Sequence, residues 1–223
     1  MSRSRFDPSF AELPGFLPIF PLSGVLMLPG GQLPLNIFEP RYLDMVRDAL
    51  AWPRLIGMIQ PQEEGREEVF RTGCAGRVIA FGETGDGRYL ITLSGLIRFD
   101  IKEEPPRGAL AYRRVVPEWG RWRADLDLPP PLEELEAQFD RPRLIAALKP
   151  FFARHGINVD WSAVAATDGA QLITTCAMIS PLGVREKQAL LEARDTGERA
   201  RLLTTLVEMA MLEETDIQSR ARH

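Results

Sequence analysis

Leu17-Pro18-Ile19-Phe20-Pro21-Leu22, then Leu28-Pro29-Gly30-Gly31, then Leu33-Pro34-Leu35-Asn36-Ile37-Phe38-Glu39-Pro40-Arg41-Tyr42 is the stretch from which the rest of this chain is read. Apolar residues at 17, 19 and 22, and again at 33, 35 and 37, have the spacing of two strands of a packed sheet. Pro29-Gly30 supplies the turn between them. Pro18, Pro21 and Pro34 cannot donate to a ladder, so they are expected at sheet edges or strand ends. Pro40 suits the first position of a helix, where its missing N–H leaves no bond unmade. Residues 41–51 then place Tyr42, Met45, Val46, Ala49 and Leu50 on one helical face.

Further strands follow. Residues 54–60 read as a buried strand ended by Pro61, and the charged residues 62–68 as an exposed loop. A long hairpin starts at Gly73-Cys74-Ala75-Gly76 and turns at Gly85-Asp86-Gly87. It returns through Tyr89, Ile91, Leu93, Ile97, Phe99 and Ile101, all of one parity. Gly95, midway along, marks a bulge or sharp bend that lets the strand curl around a barrel. Residues 110–116 read as the last strand, and 118–131, ending in Pro129-Pro130-Pro131, as a linker by composition.

Beyond the linker the pattern is helical. One long helix is predicted over 132–154, with Pro142 as a point of interruption, an end near Pro150 and a stop at His155-Gly156. Asp160 and Asp168 are predicted caps of the next two helices. Val184, Lys187, Gln188, Leu190 and Leu191 lie on another, and the pairs Leu202-Leu203, Leu206-Val207 and Ala210-Met211 give the last a broad apolar stripe.

The opening stretch closely resembles the start of the amino-terminal, substrate-binding domain of Lon proteases. The shared features are Phe20-Pro21-Leu22, Pro29-Gly30 and the run from Leu33 to Tyr42. Gly73 to Gly76, Gly87-Arg88-Tyr89 through Leu93, Gly95 and Arg98-Phe99, and Glu186-Lys187-Gln188-Ala189-Leu190-Leu191-Glu192 continue the likeness, which runs from about residue 17 to about 213. It implies an α+β fold: an amino-terminal PUA-like β-barrel over 16–117, then, past the linker, a carboxy-terminal helical subdomain over 132–215. Residues 1–15 and 216–223 are expected as a flexible leader and tail. The resemblance further implies a stand-alone form that recognises polypeptide and lacks the ATPase and protease modules.

Composition sets wide bounds. A chain of 223 residues with 45% hydrophobic and 26% charged residues can bury a core as one large domain or two small ones. Its net charge of −4 gives no global attraction to nucleic acid or anionic membrane. Residues 1–8 lack the apolar core of a signal peptide and no apolar run is long enough to span a bilayer, so a soluble cytoplasmic protein is expected. Cys74 and Cys176 read as reduced thiols filling the core.

The sequence carries no familiar catalytic pattern. No Gly-x-x-x-x-Gly-Lys-Ser/Thr loop cradles a phosphate. A serine–lysine dyad would have to draw on Lys102, Lys149 or Lys187, and Lys187 beside Glu186 reads as solvated or subunit-facing. His155, at a predicted helix stop, is poorly placed for a triad, and Cys74, Cys176 and His155 lack zinc-ligand spacing. The expectation is a non-enzyme with no cofactor and no metal.

Two places invite a binding role. The apolar loop holding Leu26, Met27 and Leu28 is either a grip for unfolded polypeptide or a packing segment, with Leu26 and Leu28 entering the core and Met27 pointing the other way. Glu39 and Arg41 either form an ion pair at a helix start or line a peptide groove. The partners expected are unfolded or peptide segments of other proteins, with a protease or chaperone as an associate. The alternative is RNA binding of the PUA type, with Arg113 and Arg114 as cations and Trp119 and Trp122 as stacking faces.

Overall fold

The computed structural model describes residues 6–63, 65–127 and 131–220, and divides into two compact units, residues 1–128 and 129–223. The fold is α+β. In the first unit the strands are β1 (Leu17–Pro21), β2 (Gln32–Ile37), β3 (Leu55–Ile59), β4 (Thr72–Glu83), β5 (Tyr89–Glu103) and β6 (Arg113–Glu118), with helix α1 (Pro40–Ala51) between β2 and β3. The sheet order is β2-β5-β4-β3-β1-β6, and a further β5–β6 pairing closes it into a barrel. β1 runs parallel to β3 and antiparallel to β6.

β5 serves two neighbours in succession. Residues Tyr89 to Ser94 pair with β2, and the ladder to β6 begins at Asp100. Between them the β4 register skips from Ile97 to Gly95, which leaves Leu96 as a bulge. Gly95 there exchanges hydrogen bonds with the Pro29-Gly30-Gly31 turn: its N–H donates to the Gly31 carbonyl (2.8 Å) and its carbonyl accepts from the Gly30 N–H (2.9 Å). A side chain at this position would collide with the Leu28 carbonyl, so only glycine fits.

The barrel core is built from Leu17, Ile19, Leu55, Ile59, Ile97, Phe99 and Val115. Gly57 and Gly73 leave the room that the Phe99 ring occupies. Pro34 lies on β2, which ends the sheet order beside β5, and Pro21 ends β1. Pro18 lies inside β1, which has neighbours on both sides; its ladder to β3 starts only at Ile19, so Pro18 falls beyond the end of that ladder.

Several boundaries differ from the sequence-based expectation. Residues 6–15 are docked: Phe10 and Leu13 pack against the barrel core, and Asp7 pairs with Arg77 at 2.8 Å in a mostly buried site. Most of the expected linker is structured too. A 3-10 helix, Gly120–Leu126, drives Trp122 and Leu126 into the barrel core, which outweighs the loop-like composition around it.

The second unit is helical, with α2 (Leu132–Glu136), α3 (Arg141–Arg154), α4 (Trp161–Ala166), α5 (Gly169–Ile179), α6 (Val184–Glu192) and α7 (Thr196–Arg220). The long helix expected over 132–154 is two. Asp140 caps α3 by accepting from the Arg143 N–H at 2.9 Å, which starts a new helix with Pro142 in its first turn. Pro150 does not end α3, which continues to Arg154. Asp160 and Asp168 cap α4 and α5 through their side chains. α7 packs on α2, α3, α5 and α6 and buries Ala200, Leu203, Thr204 and Val207. It runs to Arg220, into the expected tail, whose last three residues lie outside the described ones. Lys187, expected to be solvated or subunit-facing, is 8% exposed on α6, and burial lowers its pKa. Among the described residues no helix is long and apolar enough to cross a membrane.

Candidate functional site: an arginine-lined cleft on the barrel unit

Leu26, Met27 and Leu28 do not form a grip, because all three are buried. Met27 is 2% exposed, contrary to the outward orientation expected for it. The reason lies in the Gly73-Cys74-Ala75-Gly76 strand: the Met27 Cε and Sδ sit where a side chain at Gly76 would be, at 2.5 and 2.9 Å from its Cβ position. The missing side chain admits the flexible thioether.

A cleft of about 380 Å³ opens instead beside β1 and the start of α1. β1 contributes Ile19 and Pro21, α1 contributes Arg41 and Tyr42, and two loops complete it with Arg66, Glu67, Arg107 and Tyr112, next to Arg113 of β6. These loops come together because β6 pairs with the first half of β1 while β3, which leads into the 60s loop, pairs with the second half.

Arg41 follows Pro40 in the first turn of α1 and hydrogen-bonds Glu39 through Nε (2.9 Å). Its guanidinium lies 4.5 Å from the Tyr42 ring centroid, and that ring is 4.2 Å from Phe20. Burial raises the Tyr42 pKa, and the neighbouring Arg41 charge opposes that rise. The Tyr112 hydroxyl donates to Asp48 of α1 at 2.7 Å, which fixes the loop before β6 against the helix.

Arg113 is the most firmly held of the cleft cations. Its Nε and Nη2 grasp the two oxygens of Glu104, both at 2.7 Å, and its Nη1 donates to the Glu67 carbonyl at 2.7 Å. The hydrogen bond to Glu104 raises its pKa further. Arg66 pairs with Glu63 at 3.0 Å and Arg107 with Glu67 at 3.5 Å. The cleft therefore offers guanidinium donors, aromatic faces and a short apolar wall, which are groups for holding a ligand.

The residues of the RNA alternative are placed differently. Trp122 is 3% exposed, with the Arg98 guanidinium 3.8 Å and that of Arg121 4.3 Å from its ring centroid. Trp119 packs against the barrel core, edge-on to Phe99 at 5.8 Å, and its Nε1 donates to the Pro14 carbonyl. Arg114 lies over the Phe16 ring at 4.8 Å. Both tryptophans thus spend their faces inside the barrel unit, and stacking on bases would require unpacking them. Arg41 and Arg113 are the sequence-predicted site residues that the cleft brings together, and Glu39 stands beside them on Arg41. Tyr42 and Arg66 went unrecognised as site residues: Tyr42 reads as a core position of α1, and Arg66 as one charge in an exposed loop.

Residues 16–209 match the family model described as the ATP-dependent protease La (LON) substrate-binding domain. The chain belongs to that family. Among its curated relatives are the Lon protease of Syntrophus aciditrophicus, 27% identical over 90% of this chain, and Lon protease 2 of Sorangium cellulosum, 29% identical over 90%. The chain spans about a quarter of their length, 26% of each. A Lon N-terminal domain protein from Xanthomonas campestris has the same fold, with a TM-score of 0.59 and 22% identity over 85% of this chain and 97% of that one. So does the N-terminal domain of Mycobacterium avium complex Lon protease, with a TM-score of 0.60 and 20% identity over 86% and 98% of the two chains. The Lon-type substrate-binding domain thus extends from β1 through most of α7 in this chain.

Proposed function

We propose that this chain is a polypeptide-recognition module without bond-making chemistry of its own, which takes an extended segment of another protein into the cleft beside β1 and α1. The cleft carries the reading. It joins the apolar wall of Ile19 and Pro21, the rings of Tyr42 and Tyr112, and guanidinium forks in one concavity, a combination that suits side chains and backbone carbonyls together. Membership of a family described by substrate binding agrees with it. On this reading the module works in the cytoplasm as an adaptor that delivers client proteins to a protease or chaperone in protein quality control.

The test is a titration of the full chain with reduced, carbamidomethylated α-lactalbumin, a permanently unfolded protein, followed by backbone amide shifts. Weak binding is expected, with Kd between about 1 mM and 1 μM, equivalent to roughly −4 to −8 kcal/mol. Shifts should concentrate at residues 19–23, 41–42, 61–67 and 107–113. Shifts absent there, or spread evenly over the chain, would remove the proposal. No observation favours the RNA reading, since Arg113 is committed to Glu104 and Trp122 to Arg98.

A further inference from the structure

We infer that the cleft selects segments rich in aspartate and glutamate side chains, and that the acidic loop beside it competes for the same arginines from within; this rests on the polypeptide-recognition reading above. The cleft lining carries Arg41, Arg66, Arg107 and Arg113, and their carboxylate partners are Glu39, Glu63, Glu67 and Glu104. Four guanidinium forks in one concavity are receptors for carboxylates, so an acidic segment fits where the present partners can be displaced.

Each of these guanidiniums already holds a carboxylate of the same unit, and the quality of the pairs differs. Arg113 with Glu104 is a two-pronged contact, largely shielded from water and reinforced by the Glu67 carbonyl, and acts as a fixed part of the wall. Arg66 with Glu63 and Arg107 with Glu67 are single contacts out in solvent; Glu67 is 87% exposed, and its 3.5 Å separation from Arg107 is long for an ion pair. Exposed pairs of this kind contribute little and exchange readily. An incoming carboxylate therefore replaces a carboxylate at the same fork, with little net change in solvation. Glu63 and Glu67 occupy the arginines in the free protein as an acidic ligand would, which weakens acidic ligands and keeps the cleft from neutral ones that cannot displace them.

Fluorescence anisotropy of the full chain with three acetylated and amidated peptides tests this. The peptides share their leucine and phenylalanine positions, and their polar positions are all Asp/Glu, all Asn/Gln or all Lys; the blocked ends remove terminal carboxylates as a source. The acidic peptide is expected to bind about fivefold more tightly than the neutral one at low salt, with the gap narrowing as salt screens the pairs. Arg66→Gln with Arg107→Gln should erase the gap by weakening the acidic peptide far more than the neutral one, and Glu67→Gln should tighten the acidic peptide. Equal affinities for acidic and neutral peptides, or a gap that survives the double arginine variant, would overturn the inference and leave the recognition function standing. Failure of all three peptides to bind would overturn both. A single-stranded RNA oligonucleotide that bound more tightly than the acidic peptide, and was lost in the double variant, would overturn the inference by making the cleft a phosphate site.

Discussion

Arg98 reaches from β5 to the 3-10 helix at 120–126, where Asp125 accepts from its Nε (2.9 Å), its Nη2 (2.6 Å) and its backbone N–H (2.9 Å). The two side chains are 4% and 9% exposed, so removing one strands a charge in the interior. Asp125→Ala is expected to destabilise the barrel unit by about 3–5 kcal/mol, read from the urea midpoint. Tyr112 gives a pH dependence instead. Burial first, and then the hydrogen bond to Asp48, push its phenol from 10.0 up to about 12. The fold favours the protonated phenol, so this contribution is present in full below pH 10 and is lost as the pH rises through about 12. Absorbance titration should show a tyrosine step near pH 12, with stability falling in the same interval, and Tyr112→Phe should remove the step near 12. Legibility at this scale was uneven. The inward positions of Leu26 and Leu28 follow from their apolar character, whereas Met27 is buried because Gly76, remote in sequence, leaves it room. Arg41 could be singled out beside Glu39 at a helix start and Arg113 as a cation among aromatic residues, but no local signal says that one cleft joins them.

Elements were easier to read where a period or a cap announced them. Asp160 and Asp168 mark α4 and α5 in the sequence because a side-chain oxygen before an apolar run has few other uses. The 3-10 helix at 120–126 was missed because so short a helix has no period to display, and its two anchors, Trp122 and Leu126, stand among charged residues. Gly95 was legible as a break in β5, although its purpose, close contact with the Leu28 carbonyl and the following turn, needed the fold. Gly95→Ala should therefore cost roughly 1–3 kcal/mol or more in thermal or urea unfolding. The thiols offer a second check on packing within elements. Burial pushes Cys176 of α5 up to about 12, and Cys74 of β4 is fully buried. Ellman's reagent at mild alkaline pH is expected to find neither in the native protein and both of the chain's two cysteines after denaturation.

For the molecule as a whole, the division near residue 128 separates two sets of buried residues, one in the barrel and one among the helices. A chain cut after Leu128 is expected to retain strand-type circular dichroism and a cooperative melting transition, because its core draws on residues before the cut. Strands up to residue 116 and helices after 132 could be read from the change in apolar spacing, and the family resemblance supplied the α+β plan that joins them. Closure was expected from the family resemblance and the bend at Gly95, but the pairings that achieve it, β6 with β1 and with β5, leave no local mark on those strands. That closure also has a consequence in time. Leu17 lies opposite Val115, so a ribosome adding ~5–20 residues per second leaves the opening strand without its antiparallel mate for roughly 5–20 s. Through that interval a greasy ribbon of the nascent chain has an open flank, and whatever shelters it then decides how much of the newly made protein escapes clumping.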